Sequence, residues 1–263
     1  MPTVTIDDIK VEIEEGQTIL DAARKAGIWI PTLCYHPSVA PKASCRLCMV
    51  ELQRGDSSRL VTSCNYEVYS NITVKVSSEK AVNARKGVME LLLARAPESE
   101  ELKTLAEKMR VTSTPYPSVT ESQRNCILCG LCTSVCEEVI GKAAIGFAGR
   151  GVDKAVAPPF RQAAEDCIAC GACVAVCPVG TIQMRYHEDT NEVEISPFKA
   201  RAKLGTCAEC GAPLVPVPVN EEVFKKGKID TEELRIRAAL CPECRRKRSA
   251  QTMYTAALSS RNP

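Results

Sequence analysis

Sixteen cysteines stand in a chain of 263 residues, and they fall into four groups of four. Thiolates are soft ligands that suit iron–sulfur clusters and zinc, so each group is a candidate metal centre. Two of the groups repeat one another. Cys126, Cys129, Cys132 and Cys136 are spaced x2, x2, x3; Cys167, Cys170, Cys173 and Cys177 keep that spacing and are followed by Pro178. Three thiolates this close wrap one face of a [4Fe–4S] cube, while the fourth projects to the neighbouring cluster. The expected ligand sets are therefore crossed: Cys126, Cys129, Cys132 and Cys177 for one cluster, Cys167, Cys170, Cys173 and Cys136 for the other. Gly130 and Gly171 stand where the chain must turn tightly with its amides close to sulfide. Cys136 lacks the proline and runs into Glu137-Glu138.

The first group, Cys34, Cys45, Cys48 and Cys64, has the spacing x10, x2, x15. Four thiolates, two per iron, would hold a [2Fe–2S] cluster, with backbone N–H groups around Ser44, Arg46 and Leu47 turned to the sulfides. The first gap is not that of plant-type ferredoxins, and the spacing alone also fits structural zinc. His36 lies beside Cys34, but a Rieske centre needs two histidines, and the other, His187, falls in a different segment. His36 is thus expected to be a packing or surface residue. The last group, Cys207-x2-Cys210 and Cys241-x2-Cys244, forms two knuckles separated by 30 residues. Such a pair suits one tetrahedral ion, expected to be zinc, with a rubredoxin-like iron or a further [4Fe–4S] cluster as the alternatives.

Elements that could position these groups are legible between them. Thr3 to Ile6 and Val11 to Glu14 are strand candidates joined by Asp7-Asp8. Thr18 opens a helix in a Thr-x-x-Asp capping pattern, Ile19, Leu20, Ala23 and Ala26 give it one apolar face, and Gly27 stops it. Leu47 to Leu52 and Ile72 to Val76 are further strands. Residues 79–110 show helical spacing interrupted near Pro97, and Thr112 to Ser122, with Pro115 and Pro117, reads as a linker. Thr181 to Tyr186 and Glu192 to Ile195 alternate around Asp189-Thr190-Asn191 as a hairpin. The predicted fold class is α+β, in four parts. Residues 1–78 form a β-rich [2Fe–2S] domain, 79–123 a helical connector and linker, 124–200 a dicluster ferredoxin domain, and 201–263 a zinc-ribbon-like tail.

Composition narrows the function classes. The apolar fraction is 45% and the net charge +2, with a pI of about 7.8. Near-neutral charge and 4% aromatic residues leave little footprint for nucleic acid, although Arg245 to Arg248 beside a zinc site raise that class as an alternative. No run approaches the ~20 apolar residues of a membrane span. The N-terminus lacks a signal-peptide core, so a cytoplasmic protein with reduced, metal-binding thiols is expected. There is no Gly-x-Gly-x-x-Gly fingerprint, no phosphate-binding loop and no evident nucleophile–base pair. No catalytic residues are assigned; the chemistry on offer is electron relay.

The capped helix between short strands, followed by Cys-Tyr-His-Pro at 34–37, resembles the β-grasp [2Fe–2S] domain that opens the large NADH-side subunit of respiratory complex I. The run Cys126-Ile-Leu-Cys-Gly-Leu-Cys-Thr-Ser-Val-Cys-Glu-Glu-Val139, then Gly146-Phe-Ala-Gly-Arg-Gly151, is similar to that family's dicluster segment. The likeness covers residues 1–198 and extends to the matching subunit of NAD(P)-linked, electron-bifurcating hydrogenases and formate dehydrogenases. It implies one [2Fe–2S] and two [4Fe–4S] clusters, a flavin- and NAD(P)-binding partner subunit, a further redox subunit and possible exchange with ferredoxin. The family often adds a cluster held by one histidine and three cysteines; residues 83–110 contain neither residue type, so none is expected here. The alternative role is a free-standing polyferredoxin.

Overall fold

The structure, a computed structural model, describes residues 1–119, 125–227 and 231–259. It divides into two compact units, 1–157 with 172–181 and 158–171 with 182–263. The end of the expected linker, residues 120–122, lies outside the described residues.

The first unit begins with β1 (Thr3–Ile6) and β2 (Ile9–Glu12), paired antiparallel. Asp7 and Asp8 both adopt positive φ, 44° and 74°, which tightens the turn to two residues and starts β2 two positions before the expected Val11. Helix α1 (Ile19–Lys25) carries a full capping box: the Asp21 N–H donates to Thr18 Oγ1 at 3.2 Å, and the Thr18 N–H to Asp21 Oδ2 at 3.0 Å. Gly27, at φ 71°, ends it. Strands β3 (Met49–Arg54), β4 (Ser57–Thr62) and β5 (Ile72–Lys75) complete a sheet of order β2-β1-β5-β3-β4. Only β1 and β5 run parallel, the β-grasp arrangement. Val4, Ile6, Val50, Leu52 and Val74 pack there against Ile19, Leu20 and Ala23. The strand β4 was not expected; its signal, Gly55-Asp56 between two extended runs, is a hairpin turn.

The connector is two helices, α2 (Glu79–Arg95) and α3 (Glu100–Lys108), capped by Ser78 and Ser99 and parted at Pro97. Arg85 is buried and ties α2 to the sheet: Nη1 donates to the Met49 carbonyl at 3.0 Å and Nη2 to the Val76 carbonyl at 2.7 Å. Beyond it, α4 (Leu131–Ser134) widens into a π turn at Val135–Ile140, β6 (Gly146–Ala148) pairs with β7 (Ala155–Ala157), and α5 (Ala172–Ala175) packs on α4 and the π turn.

The second unit is built on the antiparallel sheet β11-β10-β9-β8: β8 (Gln183–His187), β9 (Glu192–Ser196), β10 (Ala200–Thr206) and β11 (Pro213–Pro216). The expected hairpin is β8–β9. The sheet then runs through residue 200, across the boundary drawn there from sequence. Helices α6 (Val217–Gly227), α7 (Glu232–Ala238) and α8 (Pro242–Ser259) follow. Among the described residues, no helix is long and apolar enough to cross a membrane.

Candidate iron–sulfur and metal centres

Cys34, Cys45, Cys48 and Cys64 are brought together and all are buried. Ala43 and Arg46 adopt positive φ, 51° and 60°, and these kinks turn main-chain donors inward. The Cys45 N–H donates to Cys34 Sγ at 3.3 Å, and the Ser44 N–H also points at that sulfur. The Leu47 N–H faces Cys45 and the Cys64 N–H faces Cys48. Hydrogen bonds from the Cys45 and Cys64 thiols pull Cys34 down to about 2, and one from Cys64 lowers Cys48 to about 6. Their counterparts move the other way: contact with Cys34 raises both Cys45 and Cys64. Four thiols in one pocket thus cannot ionise together unless a cationic group joins them. One more buried polar group faces this set. Among the described residues, the Ser63 hydroxyl has no oxygen or nitrogen partner, and it faces the Cys48 sulfur, where a hydrogen bond from it favours the thiolate. The donor set fits an iron–sulfur cluster: four thiolates, inward N–H groups and a spare hydroxyl donor.

The second set lies in the same unit. Leu128 and Gly130 adopt positive φ, 52° and 82°, curling the chain so that the Leu128 and Leu131 N–H groups face Cys126 and Cys129. A side chain at Gly130 would also press on Phe147, 3.5 Å from its Cβ position. Burial pushes up the Cys126 thiol, raises Cys129 to about 12, and raises Cys132 further. All three also feel the charge of Cys177, which follows α5. The Arg95 guanidinium donates from Nε to the Cys126 carbonyl at 3.0 Å.

The two sets adjoin. Cys129 feels the charge of Cys34, and both belong to one apolar core with Leu33, Leu47, Met89 and Leu131. Glu138 fastens the loop around Cys34 to the π turn, accepting from the Ala40 N–H at 3.3 Å and pairing with Lys42 at 4.0 Å.

In the second repeat, Cys167 and Cys170 belong to the second unit, Cys173 and Cys177 to the first. Ala169 and Gly171 adopt φ of 51° and 74°, the conformations of Leu128 and Gly130, so the repeat is one of backbone as well as spacing. Cys132 feels the charge of Cys173, and Cys136 stands on the π turn.

In the tail, the sulfurs of Cys207, Cys210, Cys241 and Cys244 all lie within 4.8 Å of one another. The supports are unequal. Cys207 and Cys210 sit on the loop between β10 and β11, while Cys241 and Cys244 flank the start of α8. Of the two expected knuckles, the first is a loop between strands and the second opens a helix; Cys-Pro-x-Cys supplies Pro242 at the first helical position, where its fixed φ suits a helix start.

Neither histidine joins these sets. His36 Nδ1 accepts from the Ser38 N–H at 3.2 Å, and His187 Nε2 meets Glu194 at 3.1 Å. In the basic run, Lys247 pairs with Glu243 at 2.8 Å, and Arg245 donates to the Leu240 carbonyl at 3.2 Å.

Comparison with known proteins places iron–sulfur domains along the chain. Residues 1–79 match a 2Fe-2S iron-sulfur cluster binding domain, and residues 120–184 and 166–213 match 4Fe-4S dicluster domains. A chain in the crystal structure of an NAD+-reducing [NiFe]-hydrogenase in the H2-reduced state superposes with a TM-score of 0.53 at 30% identity, over 60% of this chain and 74% of that one. The chain belongs to the iron–sulfur subunit family of NAD(P)-linked hydrogenases and complex I. Within it, the NADP-reducing hydrogenase subunit HndD of Solidesulfovibrio fructosivorans is 36% identical, over 61% of this chain and 32% of its own length. The mitochondrial NADH-ubiquinone oxidoreductase 78 kDa subunit of Candida albicans is 32% identical, over 58% and 24%. NADPH-Fe(3+) oxidoreductase subunit alpha of Geobacter sulfurreducens is 32% identical, over 57% and 20%. The chain thus spans a third or less of the length of these curated relatives.

Proposed function

We propose that the chain is an electron-relay subunit of a multi-subunit NAD(P)-linked oxidoreductase of the hydrogenase or formate dehydrogenase type, passing electrons between a flavin subunit and a second redox partner. The observation that carries this reading is the pair of adjoining thiol sets in one apolar core, because redox centres relay electrons when the protein holds them close together. The proposed ligands are Cys34, Cys45, Cys48 and Cys64 for [2Fe–2S]; Cys126, Cys129, Cys132 and Cys177 for one [4Fe–4S]; and Cys167, Cys170, Cys173 and Cys136 for the other. When bound, these clusters supply one-electron centres. The chain's own residues present thiolates, aim N–H groups at them and exclude water with Leu33, Leu47, Met89 and Leu131. The tail cysteines are proposed as a separate zinc-type site. The relatives that reduce or oxidise NAD(P) support a flavin partner, with bifurcation as one form of that coupling.

Iron and acid-labile sulfide assays on anaerobically purified protein test the cluster content; about 10 irons per chain are expected from two and twice four. Pull-down from the native host tests the role. Stoichiometric co-purification with a flavoprotein supports the subunit reading, and a stable monomer that reduces several enzymes in turn refutes it in favour of a polyferredoxin.

A further inference from the structure

The dicluster match over residues 166–213 takes in Cys207 and Cys210, and it would extend the chain of cubane sites into the tail. The geometry points elsewhere. We infer that Cys207, Cys210, Cys241 and Cys244 form a mononuclear site for one tetrahedral divalent cation, zinc or ferrous iron, that folds the tail and is not a further cubane. This inference rests on the reading of the tail as a metal site, and it is independent of the relay role.

The separations decide. Four thiolates on one ion at about 2.3 Å stand about 3.8 Å apart at the corners of a tetrahedron. In a cubane each thiolate sits on a different iron, which sets the sulfurs roughly 6 Å apart. Here Cys210 Sγ and Cys241 Sγ are 3.7 Å apart, and the four sulfurs lie within 4.8 Å of one another. Among the described residues, this is the one group of candidate metal ligands drawn so close together.

The surroundings fit the same ion. The Cys241 N–H donates to Cys207 Sγ at 3.3 Å and the Cys244 N–H to Cys241 Sγ at 3.4 Å. Gly211, at φ 73°, closes the knuckle, with its N–H bonded to the Cys207 carbonyl at 2.9 Å. The 18-residue helix α8 brings the positive end of its dipole to the second pair of thiolates. Three ligands are buried and Cys210 is exposed, so the ion has an entry path.

The local core shows why an ion is needed. Among the described residues, Cys207, Leu240, Cys241 and Cys244 are buried in it, with Ala212 and Leu214 packed against them; three of these four buried members are candidate ligands. A core of this size contributes little hydrophobic burial, so metal binding adds to the free energy that orders the chain around it.

The experiment compares the full chain with Cys207→Ser/Cys241→Ser, and with the milder Cys210→Ser at the exposed ligand, all purified anaerobically. Zinc, iron and acid-labile sulfide are counted per chain, and limited proteolysis reads the order of residues 207–259. The expected result is the loss of one metal ion with no loss of sulfide, unchanged cluster EPR signals and new cleavage confined to the tail. Loss of about four irons with four sulfides would overturn the mononuclear assignment. Unchanged metal and sulfide in every variant would overturn the tail as a metal site. Failure of the relay reading looks different, since it shows as missing iron and sulfide in the unmodified chain.

Discussion

Removing the Ser63 hydroxyl should lower the reduction potential of the centre held by Cys34, Cys45, Cys48 and Cys64. Ser63 is fully buried, its hydroxyl has no oxygen or nitrogen partner among the described residues, and it lies beside the Cys48 sulfur. An unsatisfied buried hydroxyl costs about 1–3 kcal/mol, so an electron-rich acceptor is its natural neighbour. Reduction adds negative charge to the centre and strengthens any hydrogen bond donated to it. Taking the differential as one net hydrogen bond, about 0.5–1.5 kcal/mol, and about 59 mV per tenfold change in equilibrium for one electron, Ser63→Ala should lower the midpoint by roughly 20–65 mV. An EPR-monitored redox titration of the reduced [2Fe–2S] signal measures it, with Ser63→Thr as the variant that keeps the hydroxyl. A midpoint in Ser63→Ala equal to that of the unmodified protein, or above it, would refute the reasoning.

Other consequences follow from particular contacts. Cys177→Ser should disturb the cluster of the first repeat, and Cys136→Ser that of the second; EPR signals that instead vanish with the mutated copy would show uncrossed ligation. Arg85→Met strands the carbonyls of Met49 and Val76 in the core and should destabilise the first unit by about 2–4 kcal/mol, read as a fall in the denaturation midpoint, with no change expected if those bonds are incidental. Hydrogen bonds from Arg201 and His187 hold the Glu194 carboxyl below its ordinary range. Its stabilisation is therefore present at neutral pH and lost as pH falls through the lowered value. The gap in thermal stability between the unmodified chain and Glu194→Gln should close from about pH 4 downward, and a gap that widens in acid would contradict the pairing.

The capping box at Thr18 and Asp21, the break at Pro97 and the hairpin at Asp189 to Asn191 were legible because local chemistry decides them. That the cysteines come in local sets was legible for the same reason, since spacing is itself a local constraint. Tertiary features were not. Arg85 reads as one more polar residue of a helix until Met49 and Val76 bring their carbonyls to it. Ser63 looks unremarkable until its burial is known. The tail shows both cases at once. The Cys-x2-Cys pairs announced four thiols that could share one site, but that one pair stands on a hairpin and the other on a helix depends on packing around Leu240, which no spacing records.

The shared core of the first two thiol sets bears on inheritance. Sequence families divide the chain near residue 79 and resume at residue 120, as if the pieces were separable cassettes. The packing ignores that seam: Leu33, Val39 and Leu47, from the loop that carries Cys34 to Cys48, share one core with Met89, Leu102, Ile127 and Leu131. Recombination at residue 79 would leave that loop with an exposed apolar face and the following helices without their floor. Natural selection should therefore pass the two centres on as a single block, with changes at Leu47 compensated at Met89 or Leu131 across the seam.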